Sequence, residues 1–236
     1  MILRRIFLVW LAVALMAHPG AAAGQDSEPP KTKLIVLDPG HGGVDLGVRS
    51  SKSTLEKSVT MKLAMAIAAL SAKYPGLSVA MTREGDLDRA WLRRLEFANS
   101  KKADLFLSLH TGGGFTAKTR PIEIFIPSNS QKREDSGGWD SLNLPFKAAN
   151  LRLAKLISSH MAAAAPEKEI KIIPSGRLML EGLAMPAVII EPWDLSNPQD
   201  EIKLEEKASV EKMASSIMLG IASFMGVKEQ QEIRDE

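Results

Sequence analysis

Two histidines and two carboxylates stand in this chain where they could carry out hydrolysis together. His41 lies in the turn Asp38-Pro39-Gly40-His41-Gly42-Gly43, Glu56 follows it by fifteen positions, His110 closes Ser108-Leu109-His110, and Glu191 closes an apolar run at Ile190. His41, Glu56 and His110 form a two-histidine, one-carboxylate set, which suits tetrahedral zinc with a fourth position open to water. Glu191 is the natural base for that water. Each residue also has an ordinary reading. A carboxylate opening a helix is usually an electrostatic cap, a strand-end histidine is usually a satisfied polar group, and a loop carboxylate pairs with a surface Lys or Arg. Gly40, Gly42 and Gly43 permit a sharp turn and leave space beside a metal, although an Asp-Pro-Gly turn is also a plain chain reversal. The combination, rather than any single residue, points to a metal hydrolase.

Composition narrows the alternatives. The chain has 236 residues, 45% hydrophobic and 25% charged, a balance that fits a globular fold and argues against disorder, collagen-like repeats or a long coiled coil. It contains no cysteine. That excludes a disulfide framework, a zinc ribbon, an iron–sulfur cluster, a cysteine nucleophile and a lipidated cysteine, so a metal must be held by His, Asp or Glu. Residues 1–23 read as a secretory signal peptide, with Arg4 and Arg5 at its start, an apolar run over residues 6–16 and Ala21-Ala22-Ala23 as the processing site. The run is shorter than the ~20 apolar residues that span a bilayer. No stable membrane anchor is therefore expected after cleavage, and the expected location is the periplasm, with full secretion as the alternative. The formal charge of +2 includes Arg4 and Arg5, and residues 1–23 hold no acid, so cleavage leaves +2 − 2 = 0. A nucleic-acid partner thereby loses its electrostatic support.

The residues with chemistry need elements to position them. After a polar linker, residues 24–31 with Pro29-Pro30, strand-like runs cover residues 34–37, 77–82, 104–109, 122–126 and 187–190. Helical periodicity covers residues 55–73, 88–100, 148–165 and 208–225. Short apolar runs alternating with helices predict an α/β fold, a single three-layer α/β/α domain with a mostly parallel central sheet, spanning residues 32–226. In such sheets, sites form in the loops at the carboxyl ends of the strands, and three strands end at the His41 turn, His110 and Glu191. His160 reads as surface or packing, and residues 227–236 as a charged, solvated tail.

The segments Leu37-Asp38-Pro39-Gly40-His41-Gly42-Gly43, Glu56-Lys57, Thr82-Arg83 with Asp86, Arg94 and Ala98-Asn99, and Ala103 through His110 resemble the zinc-dependent N-acetylmuramoyl-L-alanine amidases that carry the amidase-3 catalytic domain. Ile122-Glu123-Ile124-Phe125, Pro186 through Glu191 and Leu195-Ser196-Asn197-Pro198 continue the resemblance in order over residues 32–226. It implies that His41, Glu56 and His110 bind a zinc ion and that Glu191 is the catalytic carboxylate. The implied substrate is bacterial peptidoglycan, cut at the amide joining the lactyl group of N-acetylmuramic acid to L-alanine.

Two departures flank the implied site. Thr111-Gly112-Gly113-Gly114 follows His110 where the family usually has a small residue and then Asn, and Pro192-Trp193-Asp194 follows Glu191 where it commonly has a small residue, Gly and Phe. Trp193 is expected in the core, with stacking on a sugar face as the alternative. Residues 127–146 read as an irregular, solvated loop. Some relatives carry there a longer insertion whose helix blocks the zinc until an activator displaces it, and this loop is too short for that, although Glu134 or Asp135 could reach the site. An activator protein stays open as a partner without a supporting feature. Two other functions also stay open: a non-catalytic peptidoglycan-binding or regulatory protein that keeps the fold, and a zinc amidase acting on another amide.

Overall fold

Strand β1 (Lys33–Pro39) shows why a parallel sheet forms, because Ile35 through Pro39 are buried and a strand apolar on both faces needs cover on both. The computed structural model describes residues 31–114, 120–128 and 142–230, all within one compact unit, Lys31–Glu236. The other strands are β2 (Leu77–Met81), β3 (Leu105–Leu109), β4 (Ile122–Pro127), β5 (Ile170–Ser175) and β6 (Ala187–Glu191). They form one sheet in the order β2-β1-β3-β6-β4-β5, in which only the β4–β6 pairing is antiparallel.

Alternate residues of each strand face opposite layers. Ile35, Leu37, Leu105, Leu107, Val188 and Ile190 pack with helices α1 (Glu56–Leu70), α3 (Lys147–Ala164) and α6 (Lys207–Met225). Val36, Phe106, Phe125 and Ile189 pack on the other face with Leu95 of α2 (Trp91–Ser100) and Leu180 of the short α4 (Leu178–Glu181). The fold is thus the expected three-layer α/β/α arrangement with a mostly parallel sheet. Among the described residues, no helix is long and apolar enough to cross a membrane.

Several local features differ from the sequence reading, the short α4 among them. Strand β5 was not expected; it is a half-buried edge strand whose Pro174 is tolerated because an edge has no partner waiting for its missing N–H. Helix α2 starts at Trp91 rather than at residue 88, because Ala90 is extended (φ −54°, ψ 143°). Helix α5 (Pro198–Glu205) is an addition, opened by Pro198 and capped by Asn197, whose side chain accepts from the N–H groups of Gln199 and Asp200. The charged tail begins docked: Val227 packs on the core and Gln230 N–H donates to Lys73 O at 2.8 Å. His160 makes the expected surface contact, Nε2 to Ser223 Oγ at 3.2 Å. Residues 1–30, with the signal-peptide reading and nearly all of the linker, lie outside the described residues, as do Glu134, Asp135 and residues 231–236.

Candidate metal centre

The turn after β1 carries His41 in a backbone conformation that side chains rarely adopt, with φ 59°. Such strain persists only where surroundings over-determine it, and here two buried arginines do so. Arg94 donates from Nη1 to Pro39 O (2.7 Å) and Asp38 Oδ1 (2.9 Å) and from Nη2 to His41 O (2.7 Å). Arg83 donates to Pro39 O and Gly40 O, both at 2.9 Å. Asp38 also accepts from Thr82 Oγ1 (2.5 Å) and Ser108 Oγ (2.7 Å). Lys57 ties the glycines from the helix side, donating to Gly43 O (2.8 Å) and Asp86 (2.7 Å). The polar residues of the sequence motif are therefore mostly the frame of this turn.

The three sequence-nominated ligands converge. Each of His41, Glu56 and His110 offers one donor atom, and these atoms all lie within 4.8 Å of one another. Glu56 Oε2 lies 3.1 Å from His41 Nε2, and Oε1 lies 3.1 Å from His110 Nδ1. The carboxylate is also held by the N–H groups of Val48 (2.9 Å) and Thr111 (2.8 Å), so it is not serving as a cap for its own helix. Gly40 lets His110 approach, since a Cβ there would fall 2.4 Å from the imidazole.

The electrostatics suit a cation. Glu56 is 2% exposed, and among the described residues its ion pairs are with the two histidines alone. Burial pushes its pKa up, but the histidine contacts and Val48 N–H outweigh this and hold it well below the ordinary value. Burial likewise lowers the pKa of His41, while Glu56 and Asp45 outweigh it and raise the value. A buried carboxylate facing two imidazole nitrogens needs positive charge between them, which protons or a metal ion can supply. Asp45 Oδ2 lies 2.9 Å from His41 Nδ1. That leaves Nε2 to face Glu56, the usual task of a carboxylate behind a metal-binding histidine.

Glu191 arrives at the same sheet edge. Leu109 pairs with Ile190 between β3 and β6, so His110 and Glu191 occupy the next rung, and His110 N–H donates to Ile190 O at 3.0 Å. The Glu191 side chain is 11% exposed, and its Oε1 accepts from Arg177 Nη1 and Nη2, both at 3.3 Å. Burial raises its pKa; the charges of Arg177 and His110 oppose this, that of Glu123 adds to it, and the result is a value above the ordinary 4.5. A cavity of about 600 Å³ opens here, with Gly40, His41, Trp91, His110, Arg177 and Ile189 among its walls.

The two departures touch each other. Gly112 forms a parallel bridge with Asp194, Gly112 N–H donates to Trp193 O (2.8 Å), and Leu195 N–H donates to Gly112 O (2.9 Å). Trp193 is 3% exposed and belongs to the core, so stacking on a sugar is ruled out for it and the core reading holds. Asp45, Arg177 and the role of Arg94 were not picked out from sequence. Asp45 had a usable signal, a carboxylate four positions after His41; Arg177 had none, because its contact depends on how β4 and β6 pair.

Two half-buried histidines around one buried carboxylate at the carboxyl edge of an α/β sheet, with a second carboxylate on the adjoining strand, form a group that could hold a metal ion, the class of site that metal-dependent hydrolases use. The family described as N-acetylmuramoyl-L-alanine amidase matches residues 35–223, and the chain belongs to it. Membership makes the chain an amidase of bacterial peptidoglycan. Similar curated proteins include the N-acetylmuramoyl-L-alanine amidase AmiA of Salmonella typhimurium, 26% identical over 83% of this chain and 79% of its own length. The germination-specific N-acetylmuramoyl-L-alanine amidase of Bacillus subtilis is 29% identical over 86% of this chain and 84% of its own length. Among solved structures, the catalytic domain of CwlV from Bacillus (Paenibacillus) polymyxa shares the fold, with a TM-score of 0.71 and 24% identity over 83% of this chain and 99% of that one. The CwlD amidase of Clostridioides difficile, solved in complex with the GerS lipoprotein, shares it with a TM-score of 0.69 and 23% identity over 82% and 98%.

Proposed function

We propose that this chain is a zinc-dependent amidase in which His41, Glu56 and His110 hold the metal and Glu191 is the general base, cutting the bond between the lactyl group of N-acetylmuramic acid and L-alanine. The observation that carries the reading is the convergence of the three donor atoms within 4.8 Å, with His110 directly following the Leu109–Ile190 pair as Glu191 does on the neighbouring strand. A zinc ion bound there supplies a water of lowered pKa and a Lewis acid for the amide oxygen. Asp45 fixes the His41 ring, and Val48 and Thr111 N–H fix Glu56, so these two donors are held in place before a metal binds. Glu191, disposed by burial to hold a proton, takes one from the attacking water and returns it to the alanine nitrogen as the C–N bond breaks. The signal-like residues 1–23 support export, with action in the periplasm or outside the cell.

The test is incubation of the zinc-loaded protein with purified peptidoglycan and mass spectrometry of the soluble products. Free stem peptides beginning with L-alanine are expected. Release of other fragments would indicate a different amide, and no release with full zinc occupancy would indicate a binding or regulatory role.

A further inference from the structure

Resting on the reading of Glu191 as the base, we propose that Arg177 is the positioning residue for that base and that Phe125 is its support. Arg177 sits at the start of α4, fourteen positions before Glu191, and its guanidinium carbon lies 4.0 Å from the centre of the Phe125 ring. The sheet explains how the three meet. Phe125 pairs with Ile189 and Glu123 with Glu191 across the antiparallel β4–β6 ladder, so Phe125 and Glu191 are diagonal neighbours on one face, within reach of a long side chain. The guanidinium lies over the ring and reaches sideways to the carboxylate.

The contact is asymmetric. Both Nη atoms address Oε1, while Oε2 carries no hydrogen bond among the described residues. A carboxylate held in this way always presents the same oxygen to a water, which is the orientation a general base requires. A guanidinium stays protonated at any working pH, so it cannot take the proton for itself. The 3.3 Å contacts are longer than the 2.7–2.9 Å typical of a charge-assisted Arg–carboxylate hydrogen bond. Arg177 thus orients the base through a long contact to one oxygen. Because Arg177 also walls the cavity that holds His41 and His110, it acts at the reacting centre rather than as a remote staple between α4 and the sheet.

The experiment compares wild type, Arg177→Met, Phe125→Leu and Glu191→Gln, each zinc-loaded, by stem-peptide release from a soluble muropeptide, with zinc content and thermal melting recorded. Arg177→Met should keep its zinc and its KM within about twofold while kcat falls about tenfold to a hundredfold, the scale of a misaligned catalytic group. Phe125→Leu should show a smaller loss in kcat alone. Added guanidinium ion at a non-denaturing concentration should restore part of the Arg177→Met turnover and none of that lost in Glu191→Gln. Wild-type kcat in both Arg177→Met and Phe125→Leu beside an inactive Glu191→Gln would overturn the positioning role and leave the base intact. A change confined to KM would also overturn it, since Arg177 would then contact substrate rather than the base. Full activity in Glu191→Gln would overturn the base and the positioning role together. If Arg177→Met does not fold, Arg177→Lys replaces it, with a kcat below wild type and an unchanged KM expected.

Discussion

Replacing Gly40 by alanine adds one methyl group to the most crowded point of the metal centre. Its Cβ would lie 2.4 Å from His110 Cε1, 2.6 Å from Nε2 and 2.8 Å from Nδ1, whereas carbon atoms pack comfortably from about 3.5 Å. The imidazole must therefore retreat by about 1 Å. Gly40 is not in the left-handed region, so the effect is one of contact and not of backbone strain. Metal–ligand distances tolerate about 0.2 Å, so a retreat of that size takes His110 out of reach of a metal shared with His41 and Glu56. Overpacking costs about 1–3 kcal/mol, which for a chain of this length lowers the melting temperature by no more than about 10 °C. The expected Gly40→Ala protein is folded, binds zinc at least about tenfold more weakly, and has lost about a hundredfold or more in kcat/KM. Gly85→Ala is the control, because no atom lies within 4 Å of its Cβ position, and it should match wild type. Zinc titration by competition with a chromophoric chelator, stem-peptide release and calorimetry on the same preparations check each part. Wild-type zinc affinity and turnover in Gly40→Ala would refute the placement of His110 as a ligand packed against this glycine.

Further expectations concern the donors and the base. His41→Ala, Glu56→Ala and His110→Ala should each lose stable zinc, because two remaining ligands rarely hold it; full occupancy in all three by elemental analysis would sink the ligand set. Asp45→Asn removes the charge behind His41 Nδ1 and should weaken zinc binding by about 10- to 100-fold with the fold retained, read by the same chelator competition. Glu191→Gln should keep zinc and lose about a hundredfold or more in turnover, as expected for loss of a general base. The pH dependence of that variant follows from the sign of the Glu191 shift. Its folded pKa lies above 4.5, so the stability linked to it is complete below 4.5 and is lost as pH rises through the folded value. Metal-free Glu191→Gln should accordingly melt higher relative to wild type at neutral pH than at pH 4, and an equal difference at both values would contradict the sign.

The sequence by itself determined the fold class and nominated the three residues that converge. Short β-branched runs alternating with helical periods demand a sheet covered on both faces, because each strand such as β1 is apolar on both sides. The residue types at the strand ends restrict the chemistry, since with no cysteine present only His, Asp and Glu remain to bind a metal. Only the tertiary structure decided which polar residues converge and which frame the turn beside them. Glu56 and His110 are 54 positions apart and meet at 3.1 Å because the loop after β1 brings the start of α1 back to the edge where β3, paired with β1, ends. Arg94 and Arg83 belong to the segments that carry the family resemblance, but no local pattern shows their task, which is to hold the backbone carbonyls that keep His41 at positive φ. Strand β5 escaped notice because a half-buried edge strand with a proline lacks a clear period. Trp193 shows the same limit from the other side: its place in the core rests on the pairing of residues 112 and 194. Periodicity reports which face of an element is apolar, a local property, whereas the site is built from contacts between chain ends that only the crossovers bring together.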